Sequence, residues 1–381
     1  MPKRFPAKKK AKKSKKGRSK KRTAKAKTRI RVDPLKEYAE VVANQGIATV
    51  SQLSQDECVS NIPGRVSTGC LSLDQVLSNK GEPEDWHGIP LSRIIEIFGP
   101  PHIGKSTLLD QCFSSVQKKD GIAFLLDTET SRDRHYVERL GVDLTKLQYI
   151  EFKPENTFIE NVLRVVSDTI IFCKEKIPEV PVVIGWDALA GTATEDEMSK
   201  GIKSEKATKP GAAAKSMALA ARLVSPLLKG TKIVFIILNH EYDVINTGPF
   251  AGKKRETYGG HGTRHMASVR VQLYNGKNYI KRSDGWILGR EVVGKVIKNR
   301  LGEHSREAIM PMVIGQGTMN LYTIYYALKK ANLIAVSGNW AAINLDGEVI
   351  NFQGWYGLQV QCEERPELYE KLEAIFWRSS R

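Results

Sequence analysis

The first 32 residues contain no aspartate or glutamate. They carry 17 of the chain's 59 lysines and arginines, which leaves 42 basic residues to balance the 42 acidic ones, so the whole net charge of +17 sits in this tail. Such a block repels itself, lacks apolar anchors and is expected to be disordered. Its chemistry suits nucleic acid phosphates, bound with strong salt dependence. A solubilising or targeting tail, or a nuclear localisation signal, is the other reading of the same composition.

An apolar leader is also missing: the basic segment runs straight into Asp33-Pro34, so it does not read as a secretory signal. The longest aliphatic and aromatic runs, such as Ile233–Leu238, are far too short to span a bilayer, and no membrane partner is expected. Cysteine is scarce. The five residues at 58, 70, 112, 173 and 362 are scattered, odd in number and free of any C-x-x-C pattern, which argues against a disulfide framework or a zinc site and for reduced thiols inside a cell. No internal repeat is present.

What the chain has is a phosphate-binding pattern. Gly99-Pro100-Pro101-His102-Ile103-Gly104-Lys105-Ser106-Thr107 fits G-x-x-x-x-G-K-[ST], between the apolar run Arg93–Phe98 and the helix-compatible Leu108–Val116. Glycines let the backbone curl so that its N–H groups and a helix N-terminus face a phosphate. Lys105 would reach the β- and γ-phosphates, and the Ser106 hydroxyl would take a Mg²⁺ position. A nucleoside triphosphate and Mg²⁺ are the expected cofactors.

At 381 residues and 41% apolar content the chain can bury a large core in more than one structural unit. Asp33-Pro34 reads as a helix start, with Leu35, Tyr38, Ala39 and Val42 at helical spacing and Gly46 as the stop. From about residue 62, apolar strands at Ile94–Phe98, Ile122–Asp127, Val182–Asp187 and Lys232–Leu238 alternate with helical stretches at 107–118, 134–140, 157–175 and 215–229. That alternation predicts an α/β fold with a mostly parallel sheet covered by helices. Strands at Ala267–Tyr274 and Val292–Asn299 would extend the sheet. The expected boundaries are a tail at 1–32, a helix and linker at 33–61, an ATPase core at 62–315 and a small α+β domain at 316–381, which ends in a helix at Pro366–Trp377. Two stretches break the regularity, Thr192–Lys215 and Glu241–Tyr258, and long irregular loops in a compact domain are usually functional.

Two further strands end in carboxylates. Pro181–Asp187 is an apolar run ending in Asp187, the type of residue that supports the Mg²⁺ of a phosphate-loop ATPase. Gly121–Glu129 brings Asp127 and Glu129 to a second strand end. If that strand adjoined the phosphate-loop strand, Glu129 would stand near the γ-phosphate as a general base; otherwise it caps the following helix.

These residues together resemble the RecA-type strand-exchange recombinases, bacterial and phage members alike, over roughly residues 62–381. Arg65–Asp74 looks like the family's entry segment, and the phosphate loop and Asp127-Thr-Glu129 follow in order. Arg132–Asp143 is similar to the adenine-side segment. Met217–Arg222 and Glu256–Gly260 match the flanks of two DNA loops, and Gly315-Gln-Gly317 and Gly338-Asn-Trp340 mark the C-terminal domain. Asn239-His240 is closer to the phage members.

The resemblance implies a RecA-like ATPase core with a small α+β C-terminal domain. Glu129 would be the catalytic base, with Lys105 and His240 as the other catalytic residues, His240 sensing the γ-phosphate. Asp133 and Tyr136 would flank adenine. Lys298 and Arg300 would reach the nucleotide of the next protomer, Arg300 standing where the family pattern has lysine. In the DNA loops, at about 191–216 and 241–258, the implied contacts are Lys200, Lys203, Lys206, Lys209, Lys215, Met217 and Arg222 in the first. Phe250, Lys253, Lys254, Arg255, Gly259 and Gly260 supply the second, an aromatic and cations suited to single strands. The structural readings beside these roles are plain: a core tyrosine for Tyr136, a strand-end histidine for His240, and a solvated strand edge for Lys298 and Arg300.

The implied activity is ATP-dependent homologous pairing and strand exchange by a helical filament on single-stranded DNA, with a homologous duplex as second partner. A single-strand-binding protein or a loader is a further candidate partner. The chain would work with DNA inside a bacterial or phage-infected cell, or in a nucleus if the tail is an address. A hexameric helicase-type motor and an ATP-switched regulatory or architectural filament are the alternatives.

Overall fold

A computed structural model describes residues 34–48, 50, 61–79, 82–83, 86–200, 211–244, 254–282 and 284–379. The basic tail lies outside the described residues. The chain forms two compact units, one ending at Gln55 and one spanning Asp56–Arg381. In the first, Pro34–Asn44 forms α1, with a proline where a helix has no hydrogen bond to lose.

The second unit opens with a short antiparallel pair, β1 (Arg65–Val66) and β2 (Ile89–Pro90), flanking α2 (Leu71–Leu77). Then strands and helices alternate: β3 (Ile94–Gly99), α3 (Lys105–Gln117), β4 (Ile122–Asp127), α4 (Arg134–Arg139), β5 (Leu147–Glu151), α5 (Ile159–Lys176) and β6 (Val182–Asp187). After them come α6 (Glu195–Lys200), α7 (Ala212–Leu228), β7 (Ile233–Val244), β8 (Lys254–Thr257) and α8 (Gly260–Met266). Four antiparallel-connected strands complete the sheet: β9 (Val269–Lys281), β10 (Ile287–Asn299), β11 (Glu307–Val313) and β12 (Gly317–Thr318).

The sheet order is β12-β11-β10-β9-β3-β7-β6-β4-β5, with β8 hairpinned onto the end of β7. From β9 to β5 every neighbouring pair is parallel. Strand β7 shows why the apolar runs are continuous. Its Val234, Ile236 and Leu238 enter the core on the α3 side with Leu108, Leu109 and Phe113. Its alternate residues Ile233, Phe235 and Ile237 enter the core on the α5–α7 side with Val162, Val166, Met217 and Val224. Side chains alternate along a strand, so only a sheet covered on both faces needs apolar residues at every position. The layers are close: a Cβ at Gly185 in β6 would stand 2.7 Å from the Phe113 ring and 2.8 Å from Leu109.

The C-terminal elements are α9 (Asn320–Lys330), a three-stranded antiparallel ribbon of β13 (Ile334–Ser337), β14 (Trp340–Leu345) and β15 (Glu348–Phe352), then α10 (Gly354–Glu364) and α11 (Pro366–Ser379). They gather around Ile324, Ile343, Trp355, Leu358 and Phe376, joined by Ile280 and Val313 from the margin of the main sheet.

Three differences between the sequence reading and the structure bear on the site. Strand β4 does not adjoin β3: β7 and β6 lie between them. The first irregular stretch contains α6, and α7 begins at Ala212, so Lys215 is helical. The second begins and ends as strand, because Glu241–Val244 pairs with Lys254–Thr257. Residues 201–210 and 245–253 of these stretches lie outside the described residues.

Candidate functional site

The phosphate loop leaves the carboxyl end of β3, whose chain successor β4 lies three places along the sheet. Ligands of open α/β sheets bind at such a break, outside the carboxyl ends of the strands. Gly104 closes the loop with φ +96° at the N-terminus of α3. Only glycine is comfortable there, and a Cβ would also collide with the Met312 sulfur. Lys105 is 6% exposed and its Nζ donates to the carbonyls of Pro100 at 2.9 Å and Gly99 at 3.3 Å. Burial pushes its pKa below the ordinary lysine value, with Asp187 and then Glu129 opposing that shift.

Ser106, in the first turn of α3, donates its hydroxyl to Asp187 Oδ2 at 2.7 Å. Asp187 ends β6, is almost wholly buried, and has its pKa raised mainly by that burial. These two hard oxygens are the pair the sequence assigns to Mg²⁺, and here they touch. Among the described residues, no group of three His, Cys, Asp or Glu side chains could cage a metal ion alone.

Glu129 reaches the site from the turn after β4. Asp127 shapes that turn, because its Oδ1 accepts the backbone N–H of Glu129 at 3.0 Å and of Thr130 at 2.8 Å. Glu129 Oε1 lies 3.4 Å from His240 Nε2, and His240 stands opposite Gly99 where β3 and β7 pair. The hydrogen bond from His240 is the largest influence on Glu129, whose pKa lies below the ordinary carboxylate value, with Lys105 and Arg132 adding to that shift. So Glu129 approaches the phosphate loop through His240 on β7 rather than from a neighbouring strand.

Asp133 caps α4: its side chain accepts the Tyr136 N–H at 2.7 Å. The Tyr136 hydroxyl lies 2.9 Å from Thr107 Oγ1, which ties α4 to the phosphate-loop helix. Lys298 and Arg300 stand elsewhere. Their cations donate to carbonyls at the end of α8, Lys298 to Arg264 at 2.6 Å and Arg300 to His265 at 2.9 Å. Lys298 is paired with Arg270 near the start of β9, beside the start of β3. Arg270 itself lies opposite Glu96, so about 10 Å of β3, at about 3.3 Å per residue, separates the level of Lys298 from Gly99. Arg300 donates its N–H to the Ser268 carbonyl, beside Ile94, about 17 Å along the strand from Gly99.

The loop residues divide. Lys203, Lys206, Lys209, Phe250 and Lys253 lie outside the described residues. Lys200 ends α6 and pairs with Asp196 at 2.6 Å. Lys215 and Arg222 are exposed on α7, whereas Met217 between them is fully buried in the core, where its side chain serves packing. Lys254 and Arg255 lie on β8, where the Arg255 guanidinium faces Glu241 at 3.4 Å. Gly259 and Gly260 open α8.

Two arrangements were not read from the sequence. Arg132 bridges Asp110 of α3 and Asp187, the latter at 2.8 Å. Asp110 was detectable in principle, since it lies four residues after Ser106 and so on the same helix face. Beneath the loop, Glu96 of β3 accepts from Asn239 of β7 at 2.8 Å and Arg270 of β9 at 2.5 Å. This buried cluster joins the three central strands, and the Asn239 side-chain oxygen Oδ1 accepts the His240 N–H at 2.9 Å.

Comparison with known proteins agrees on one family. The RecA N-terminal domain family matches residues 36–319. The protein RecA of Bacteroides thetaiotaomicron is 28% identical over 342 residues, covering 89% of this chain and 94% of that protein. Those of Cytophaga hutchinsonii and Petrotoga mobilis are each 29% identical, covering 86% and 88% of this chain and 84% of each relative. Among the described residues no helix is long and apolar enough to cross a membrane.

Proposed function

The chain belongs to the RecA family, and on that footing we propose that it is a DNA-dependent ATPase that assembles on single-stranded DNA and exchanges it with a homologous duplex. One observation carries the reading: Lys105, the Ser106–Asp187 pair and Glu129 converge at the carboxyl ends of β3, β6 and β4, with His240 of β7 level with the end of β3. The next four residues of β7 are the hairpin where the second DNA loop is rooted.

The donor set fits Mg-ATP. Ser106 and Asp187 offer hard oxygens of the kind Mg²⁺ takes along with phosphate oxygens, and the Gly104 turn aims the N-terminus of α3 at a phosphate. When bound, Mg-ATP supplies the phosphoanhydride whose cleavage the protein times. Lys105 would neutralise phosphate charge. Glu129, kept ionised by His240, would accept a proton from the attacking water at its Oε1 or Oε2. His240 links that event to the hairpin. Asp133 and Tyr136, at the head of α4, would border the base.

The placement of Lys298 and Arg300 away from their own phosphate loop, held on the carbonyls of Arg264 and His265, supports action in trans. Cations so placed would serve the nucleotide of a neighbouring copy, as an arginine finger does. Hydrolysis would then depend on assembly, with α1 as part of the contact between protomers. The exposed cations Lys215, Arg222 and Arg255, with the lysines of the first loop and Phe250, Lys253 and Lys254 of the second, would hold the DNA.

The test is joint-molecule formation between a single-stranded oligonucleotide and a homologous supercoiled duplex, with Mg-ATP and beside Lys105→Ala. Product that requires ATP, homology and Lys105 supports the reading. ATP-dependent filaments that bind DNA tightly without forming product would replace it with a regulatory or architectural role.

A further inference from the structure

Arg132 occupies an unusual place for a cation. Its side chain is 9% exposed and lies between two buried carboxylates, Asp110 at 1% and Asp187 at 3%. Nη1 is held by Asp110 Oδ2 and by the Ser106 carbonyl at 3.2 Å. Nη2 donates to Asp187 Oδ2 at 2.8 Å. That oxygen is the one that also takes the Ser106 hydroxyl. A guanidinium therefore sits on the oxygen a divalent cation needs.

Two buried polar atoms of this cluster have no hydrogen-bond partner, Arg132 Nε and Asp110 Oδ1. They belong to the two residues already paired through Nη1 and Oδ2. The edge of a guanidinium that includes Nε pairs it with Nη2, and that fork fits both oxygens of a carboxylate. Nη2 is the nitrogen now on Asp187, so the cluster contains a second, unused arrangement in which Nε and Nη2 both turn to Asp110 and Asp187 is free of Arg132.

We propose that Arg132 is a tethered cation that holds Asp187 until Mg-nucleotide arrives and is then handed to Asp110. The exchange keeps the buried charge balanced at each stage, since neither the Asp187 carboxylate nor the guanidinium is left alone in a poorly solvated place. Mg²⁺ entry becomes a competition, so the site answers to the free Mg²⁺ concentration. The inference rests on the reading of Ser106 and Asp187 as the pair that holds the metal.

The test is binding of a slowly hydrolysed, ribose-labelled fluorescent ATP analogue to the full chain while free Mg²⁺ is titrated. Asp187→Asn is the control for the underlying reading: an unchanged Mg²⁺ dependence in that variant would overturn the metal assignment and this inference with it. Asp110→Asn removes the receiving carboxylate and should raise the half-saturating Mg²⁺ about tenfold. The paired change Asp110→Leu with Arg132→Leu removes the competitor without stranding a charge, and should lower it by a similar factor. Shifts in one direction only, or none, in folded variants overturn the proposal. If Asp110→Asn does not fold, the paired variant decides alone.

Simple repulsion between Arg132 and Mg²⁺ would also give opposite shifts, so a second measurement separates the two. In protein labelled at arginine Nε, the signal that Arg132→Lys removes should move downfield and exchange more slowly when Mg²⁺ and the analogue are added. No change in that signal overturns the handover.

Discussion

His240 Nε2 and Glu129 Oε1 lie 3.4 Å apart, joining the turn after β4 to the strand that runs on into the pairing with β8. His240 is the largest of the influences that hold the Glu129 carboxyl below its ordinary pKa. A base so held stays ionised to lower pH, so the acid limb of the ATPase rate should lie below the ordinary carboxylate range. His240→Ala should move that limb upward towards it. A pH–rate profile with the limb unmoved would remove His240 from the control of Glu129.

Glu129 itself is tested by Glu129→Gln, which keeps the shape and removes the proton acceptor. Turnover should fall by about 100-fold or more, while affinity for the fluorescent analogue stays near that of the parent. A variant that loses affinity and turnover together would place Glu129 in binding rather than proton transfer.

Lys298 has its pKa lowered to about 8, chiefly by burial and then by Arg300 and Arg270. Its charged form is therefore present below about pH 8 and lost above it. Acting in trans, it should make DNA-stimulated hydrolysis fall as pH rises through that value. Lys298→Arg should carry activity to higher pH, because a guanidinium does not titrate there. Mixing Lys298→Ala with Lys105→Ala protein offers a second check. Only mixed assemblies can then place an intact Lys298 beside an intact phosphate loop, so activity should reappear on mixing.

Asp74 is buried, accepts from Ser67 and twice from Thr68, and has its pKa raised to about 6 mainly by burial. A folded-state value above the unfolded one means that Asp74 binds a proton more tightly when folded. Its contribution is complete below about pH 4 and is lost as pH rises to about 6, a difference of at most about 3 kcal/mol. Thermal melting from pH 4 to pH 7 should show that decline in the parent and a flatter curve in Asp74→Asn.

Gly185 tests the fold apart from the site. A methyl group there would press on Phe113 and Leu109, so Gly185→Ala should cost about 1–3 kcal/mol by overpacking. Denaturant midpoints measure it, and a neutral result would mean that α3 rides further from the sheet.

Removing residues 1–32 takes away 17 cations and no anions. Log affinity for DNA falls with log salt by about 0.9 for each phosphate neutralised on a duplex, so the truncated chain should show a shallower slope. An unchanged slope would leave the tail as an address or a solubiliser.

The strands legible in the sequence were those buried on both faces. Ile94–Gly99, Ile122–Asp127 and Val182–Asp187 are continuous apolar runs, and each reappears within a residue of its expected end. Leu147–Glu151 was not legible, because as the outermost strand it exposes Gln148, Tyr149 and Glu151 and shows no apolar run. The polar end of β7, from Glu241 to Val244, is strand because β8 pairs with it, and local composition does not record that partner. The phosphate loop was legible because its chemistry is contiguous. Arg132, Asp110 and Asp187 meet across 22 and 55 residues of chain, and a pair made by tertiary packing leaves no periodic trace.

Strand β7 runs without a break from Ile233 to Val244, and its pairing changes from β3 at His240 to β8 at Glu241. No flexible joint separates the two stretches, so they act as one stiff rod. Whatever shifts His240 shifts the root of the hairpin by the same amount and in the same direction. Stiffness also fixes handedness: one extra residue between His240 and Glu241 would turn every hairpin side chain to the opposite face. The proposed catalytic residue His240 and the hairpin proposed to meet DNA share a single ruler, graduated in steps of one residue.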